Sequence, residues 1–168
     1  MVPFRATAMS STPRAAVSVA ATPAGIAVAA DTLSQFWVEA GFDPEAAWAV
    51  QVALDEILAN IVRHGTRPGP ASLIEITFVA VDGGLQVTVV DDGPEFDPLQ
   101  LPEPDLTSPL EARQPGGLGV HLVRQLMDSV DYERRDGRNW LVITRRVRAP
   151  GRPGREEEQA HGHPPGTS

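Results

Sequence analysis

Apolar residues recur along this chain at two spacings, and the places where one gives way to the other mark its elements. In Arg14 to Ala21, Val17 and Val19 share one side of a weak alternation, which predicts an edge strand. Helical spacing follows in Pro23 to Ala40, where Ile26, Ala30, Leu33 and Trp37 recur on one face and Gly41 supplies a C-cap. Asp43 followed by Pro44 offers an N-cap and a first-turn proline. A second helix is predicted from there to a stop at Gly65, with Val50, Leu54, Ile57 and Ile61 as its core face. Two strand-like runs come next, Leu73 to Val81 and Leu85 to Val90, and the turn residues Asp82, Gly83 and Gly84 between them predict an antiparallel hairpin. Gly116, Gly117 and Gly119 open a third helix, in which Leu118, Leu122 and Leu126 recur every fourth residue beside Val123 and Met127. Asp128 to Arg135 and Asn139 to Arg146 predict a last hairpin, turned by Asp136 and Gly137.

A chain of 168 residues fits one domain, and an apolar content of 42% is enough for a substantial core. Residues 1–13 show no periodicity and read as a flexible leader, and residues 148–168 read as a disordered tail without large apolar side chains. The domain is therefore expected over 14–147. No run approaches the roughly 18 apolar residues that span a bilayer, and the N-terminus lacks the apolar centre of a signal peptide, so a soluble cytoplasmic protein is expected. The absence of cysteine excludes disulfides, thiolate ligands and thiol nucleophiles. A net charge of −8 argues against a broad nucleic-acid surface and is compatible with a basic protein partner.

Three short patterns carry candidate chemistry. Glu56 and Asn60 lie four apart on the second helix, one above the other on one face. A carboxylate held there can orient a water or hydroxyl, while the amide oxygen one turn away helps hold a hydrated divalent cation; the plainer alternative is a solvated polar face. Asp91, where a strand opens into a turn, can accept a hydrogen bond from an exocyclic amino group such as that of adenine, and Gly93 lets backbone approach a ligand closely. Asp and Gly are also ordinary turn formers. The GGLG at 116–119 follows an irregular loop and precedes no Gly-Lys-Ser/Thr, so it is neither a dinucleotide fingerprint nor a P-loop. It can present backbone N–H groups to phosphate at a helix start, or serve only as a flexible joint. The acidic, proline-rich stretch before it is long enough to be functional or disordered. His64 reads as a residue favoured by the helix dipole, Glu156 to Glu158 as a solvated charge cluster, and His161 with His163 as a weak metal site.

In order, E-x-x-x-N on a helix, D-x-G after a strand and GGLG opening a helix resemble the N box and the two glycine boxes of the GHKL ATP-binding superfamily, which includes gyrase, heat-shock chaperone and histidine-kinase ATP domains. DEILANIVRHG, DDGPEFDP and GGLGVHLVRQLMDSVDYERRDGRN are similar to the bacterial anti-sigma-factor serine kinases, the small stand-alone branch of that superfamily, and the likeness covers roughly Arg14 to Val147. The resemblance implies an α/β two-layer sandwich with a mixed, mostly antiparallel sheet and helices on one face. It implies ATP and Mg2+ as cofactors, with Glu56 as general base and Asn60 coordinating the magnesium that bridges the phosphates. Asp91 would bind the adenine amino group, Gly93 would make room for the base, Gly117 and Gly119 with Leu118 between them would cradle phosphate, and Thr144 on the last strand would lie beside the adenine. Glu95 to Pro115 would form the ATP lid, with Glu95 standing where many members carry a second glycine.

The function implied is that of an ATP-dependent protein serine/threonine kinase acting as an anti-sigma factor. Such a protein binds a sigma factor and phosphorylates a STAS-type anti-anti-sigma protein on a hydroxyl, without direct nucleic-acid or membrane contact and with a homodimer left open. The alternative is a nucleotide-gated protein-binding module without kinase activity. Glu56 favours the enzyme, because binding alone requires no base.

Overall fold

Residues 12–65, 72–100 and 118–147 are described by the structure, a computed structural model. They form β1 (Arg14–Ala20), α1 (Pro23–Glu39), α2 (Ala47–His64), β2 (Leu73–Val81), β3 (Gly84–Asp91), α3 (Leu118–Leu126), β4 (Ser129–Arg135) and β5 (Arg138–Arg146). Local chemistry sets several of these limits. The Thr22 hydroxyl accepts a hydrogen bond from the Gly25 N–H at 3.2 Å, Pro23 fills the first helical position, and Gly41 leaves α1 with a φ of +65°. Asp43 caps the Glu45 N–H at 3.0 Å, but the turn it starts is a 3-10 turn over Pro44–Ala46, and α2 begins only at Ala47. Gly65 ends α2 in right-handed conformation. A side chain there would meet the Ile61 carbonyl at 2.7 Å, so the glycine is needed for space rather than for a left-handed cap.

The five strands lie in the order β1-β2-β3-β5-β4, and every neighbouring pair is antiparallel, so the sheet is antiparallel rather than mixed. Val81 pairs with Gly84, which moves Gly84 from the expected turn into β3 and leaves a two-residue connection, Asp82-Gly83. Asp136 and Gly137 both take positive φ, 51° and 74°, the tight type I′ turn whose twist matches paired strands.

One face of the sheet is apolar. Ile74, Ile76 and Phe78 of β2, Leu85, Val87 and Val89 of β3, and Ile143 of β5 are buried together with Val50, Ala53, Leu54, Ile57 and Leu58 of α2. Each of the buried Val, Leu, Ile and Phe side chains stabilises the fold by about 1.5–3 kcal/mol. In α1 the buried stripe is Ala29, Leu33, Phe36 and Trp37, which keeps Leu33 and Trp37 of the expected face but replaces Ala30 by Ala29 and adds Phe36, and Phe36 stacks on Phe78 at 5.9 Å. In α3 the expected Val123 and Met127 are core residues and Leu126 packs against them, but the leucine spacing itself does not mark the core face. Val120, Val123 and, just past the helix, Met127 are buried, whereas Leu118 is 60% exposed. Gly119 packs closely on Glu56 of α2, where a side chain would run into the carboxylate.

Residues 1–11, 66–71, 101–117 and 148–168 fall outside the described residues, and with them Gly116, Gly117, most of the expected lid, and the tail acids and histidines. No helix among the described residues is long and apolar enough to cross a membrane.

Candidate functional site

A cleft, partly open to solvent, lies between α2, α3 and the ends of β3, β4 and β5 nearest the α2 C-terminus. Ile57, Ile61, Val120, Val123 and Leu141 make its walls apolar, and Asn60, Asp91, Tyr132 and Asn139 are polar groups set among them.

Asp91, the last residue of β3, is only 6% exposed. Its Oδ1 accepts hydrogen bonds from the Gly93 N–H at 2.8 Å and from Asn139 Nδ2 at 3.0 Å. Its Oδ2 receives none from a described residue. A carboxylate oxygen left open in an apolar slot is costly unless a donor reaches it, and an exocyclic amine on an otherwise apolar base fits both slot and acceptor. Gly93 serves a closer purpose than expected. A Cβ there would come within 2.6 Å of the Gly65 carbonyl and 2.7 Å of Asp91 Oδ1, so the glycine lets the end of α2 pack on the loop after β3.

Asn60 lies on the cleft wall and Glu56 one turn earlier, beside Gly119, the second residue of α3. Neither commits its side chain to a hydrogen bond or ion pair within the described residues. No group of three or more Asp, Glu or His side chains converges among those residues. The Asn60 amide oxygen is a hard ligand of the kind that would suit a hydrated Mg2+. Leu118 starts α3 on its exposed side, and His64, in the last turn of α2, stands on the cleft rim. Arg124 of α3 donates to the carbonyls of Pro98, at 3.1 Å, and Leu99, tying the first turn of the expected lid to the helix.

Thr144 is not part of the cleft. It pairs with Gln86 and Ser129, five residues further along β5 than the residue opposite Asp91, which is roughly 17 Å at strand spacing. The β5 residue beside Asp91 is Asn139, buried to 7% exposure and bonded to Tyr132, Arg134, Asp91 and Pro94. The sequence held a signal for it. An antiparallel strand that starts just after a two-residue turn brings its first residues level with the far end of its neighbour. Tyr132 has its pKa raised from 10.0, chiefly by burial and then by the negative Glu95, against the opposing pull of the Phe96 backbone and Arg134. Its phenol is therefore held more firmly as a hydrogen-bond donor.

A family model described as histidine kinase-like ATPase domain matches residues 19–145. The chain belongs to that family. This histidine kinase-like ATPase domain is 36% identical over 97 residues to the serine/threonine-protein kinase BtrW of Bordetella bronchiseptica, covering 58% of this chain and 68% of that protein. It is 28% identical over 127 residues to the serine-protein kinase RsbW of Oceanobacillus iheyensis, covering 72% and 79%. Its fold is similar to the crystal structure of the RsbU and RsbW domains of Rv1364c from Mycobacterium tuberculosis, with a TM-score of 0.58 at 17% identity over 81% of this chain. The chain spans about a third of that longer one, 33%.

Proposed function

We propose that this domain is an ATP-dependent protein serine/threonine kinase acting as an anti-sigma factor, which binds a sigma factor and phosphorylates a STAS-type anti-anti-sigma protein on a side-chain hydroxyl. The observation that carries the reading is the uncommitted Glu56 carboxylate at the start of α3, one helical turn from Asn60 on the cleft wall. Relatives named as serine and serine/threonine protein kinases support it. ATP would supply the transferable phosphoryl group, with Mg2+ neutralising charge on its oxygens. Asn60 Oδ1 is suited to hold the ion, Asp91 Oδ2 to accept the adenine amino group, and the Gly119 N–H to approach phosphate. Glu56 would orient the partner's hydroxyl and take its proton as the new oxygen–phosphorus bond forms and ADP leaves, a contribution worth about 10²–10⁴-fold in rate.

Glu56→Gln keeps the shape and removes the base. Incubated with labelled ATP and a STAS-type protein, the wild type should label a serine or threonine, and the variant should do so at least about a hundredfold more slowly at unchanged ATP affinity. Equal rates would remove Glu56 from the chemistry. A wild type that binds ATP and a partner in a nucleotide-dependent way, yet transfers no label, would establish the nucleotide-gated binding module instead.

A further inference from the structure

We propose that Asn139 aims Asp91 at the adenine amino group, and so sets a preference for adenine over 6-oxopurines, without touching the base itself. The proposal rests on the nucleotide reading above. The Asn139 amide is saturated. Its Nδ2 donates to Asp91 Oδ1 at 3.0 Å and to the Pro94 carbonyl at 2.9 Å, while its Oδ1 accepts from Tyr132 Oη at 2.9 Å and Arg134 Nη1 at 2.7 Å. Two donors and two lone pairs are the whole capacity of a carboxamide, so no bond remains for a ligand.

The same four partners fix which way the amide faces. Turned over, it would set Nδ2 against a guanidinium that can only donate, and its oxygen against a carboxylate and a carbonyl. Asp91 is pinned in turn. The terminal torsion of an aspartate is broad and soft, and left alone the carboxylate would present either oxygen over a range of angles. With Oδ1 filled by Gly93 N–H and Asn139, only Oδ2 faces a ligand, in one direction. Arg134 Nη1 also donates to the Gly93 carbonyl at 2.9 Å, which ties the loop after β3 to the same hairpin. An aimed carboxylate accepts from a 6-amino group and repels a 6-oxo group, and a wandering one distinguishes them less.

The test measures calorimetric affinities of the full chain for ADP and for IDP, which carries the oxygen. The wild type should prefer ADP by at least about tenfold, the effect of one charge-assisted hydrogen bond. Asn139→Leu keeps the branched shape of the side chain but removes the donor facing Asp91. It should bring the ADP-to-IDP ratio most of the way to unity through loss of ADP affinity, while IDP affinity holds. Should that variant fail to fold, Arg134→Met removes one of the two donors that orient the amide and should lower the ratio by a smaller step. An unchanged ratio in the folded variants, an equal fall for both nucleotides, or a wild type without preference would each overturn the proposal while leaving the nucleotide site standing. A wild type that binds neither nucleotide would overturn the nucleotide reading and this proposal with it.

Discussion

Replacing Gly119 with alanine separates the position of the Glu56 carboxylate from its mere presence. Gly119 is the second residue of α3 and has no left-handed backbone, so alanine can adopt its conformation and gains about 0.5–1 kcal/mol from helix propensity. The new Cβ would lie 3.1 Å from the Glu56 carboxyl carbon and more than 1 Å inside the 3.4 Å at which ordinary contact with Oε2 begins. What stands in the way is the end of a flexible side chain, so the carboxylate swings aside and the helices keep their distance. An off-rotamer glutamate costs about 0.5–1.5 kcal/mol. The two terms offset each other, and the net stability change should stay within about 1 kcal/mol, a shift in melting temperature of a few degrees. The rate behaves differently. A base displaced by about 1 Å loses on the order of 10²-fold, or roughly 2.7 kcal/mol of barrier. Alanine retains the backbone N–H, and the Asp91 end of the cleft is untouched, so ADP affinity should hold to within about twofold.

The assay pairs initial rates of label transfer to the hydroxyl-bearing partner with thermal melting followed by circular dichroism. A hundredfold slower enzyme with a near-native melting curve is the expected result. Transfer at the wild-type rate would refute the positional argument. A loss of more than about 3 kcal/mol in stability would refute the premise that the carboxylate yields, and would make the Glu56–Gly119 contact ordinary packing.

Two further outcomes follow from the same geometry. Asn60→Ala should weaken ATP binding only when magnesium is present, and an effect of the same size in chelator would remove Asn60 as a metal ligand. Tyr132 is the one tyrosine of the chain, so ultraviolet titration reports it alone, and its apparent pKa should lie above 10.0 in the folded protein and return toward that value in denaturant. Because the fold favours the neutral phenol, the stability it contributes is complete below 10.0 and is lost as pH rises through the folded-state value. A folded-state titration at or below 10.0 would show that burial does not govern the phenol.

Much of the fold was legible because its elements are marked locally. Thr22-Pro23 starts α1, Asp136-Gly137 turns the last hairpin, and alternation puts Ile74, Ile76 and Phe78 on one face, all without reference to distant residues. Legibility failed where a neighbour decides. Asp43-Pro44 is a good helix start by every local rule, yet it initiates a 3-10 turn and α2 proper begins at Ala47. Leu118, Leu122 and Leu126 recur at helical spacing with Val123 and Met127 beside them, and periodicity within α3 does not say that Val120, Val123 and Met127 are buried while Leu118 is left exposed.

The cleft divides in the same way. Glu56 with Asn60, and Asp91 with Gly93, are short-range patterns, and their relative placement is set by one helix and one turn. The partner of Asp91 is set by register. Asp91 ends β3, and β5 runs antiparallel to it from the Asp136-Gly137 turn, so the residue level with Asp91 must lie close after that turn. Thr144 belongs instead with Gln86, near the opposite end of the shared ladder. A one-residue slip would place every alternate β5 side chain on the wrong face, and the apolar pairs Val87 with the buried Ile143 and Val89 with the half-buried Leu141 forbid it. The apolar pairs of the core thus fix the polar pair at its edge. The same hairpin brings Tyr132 and Arg134 across from β4 to hold the Asn139 amide, so the aim of Asp91 rests on apolar packing that begins two residues, roughly 7 Å, back along the strand.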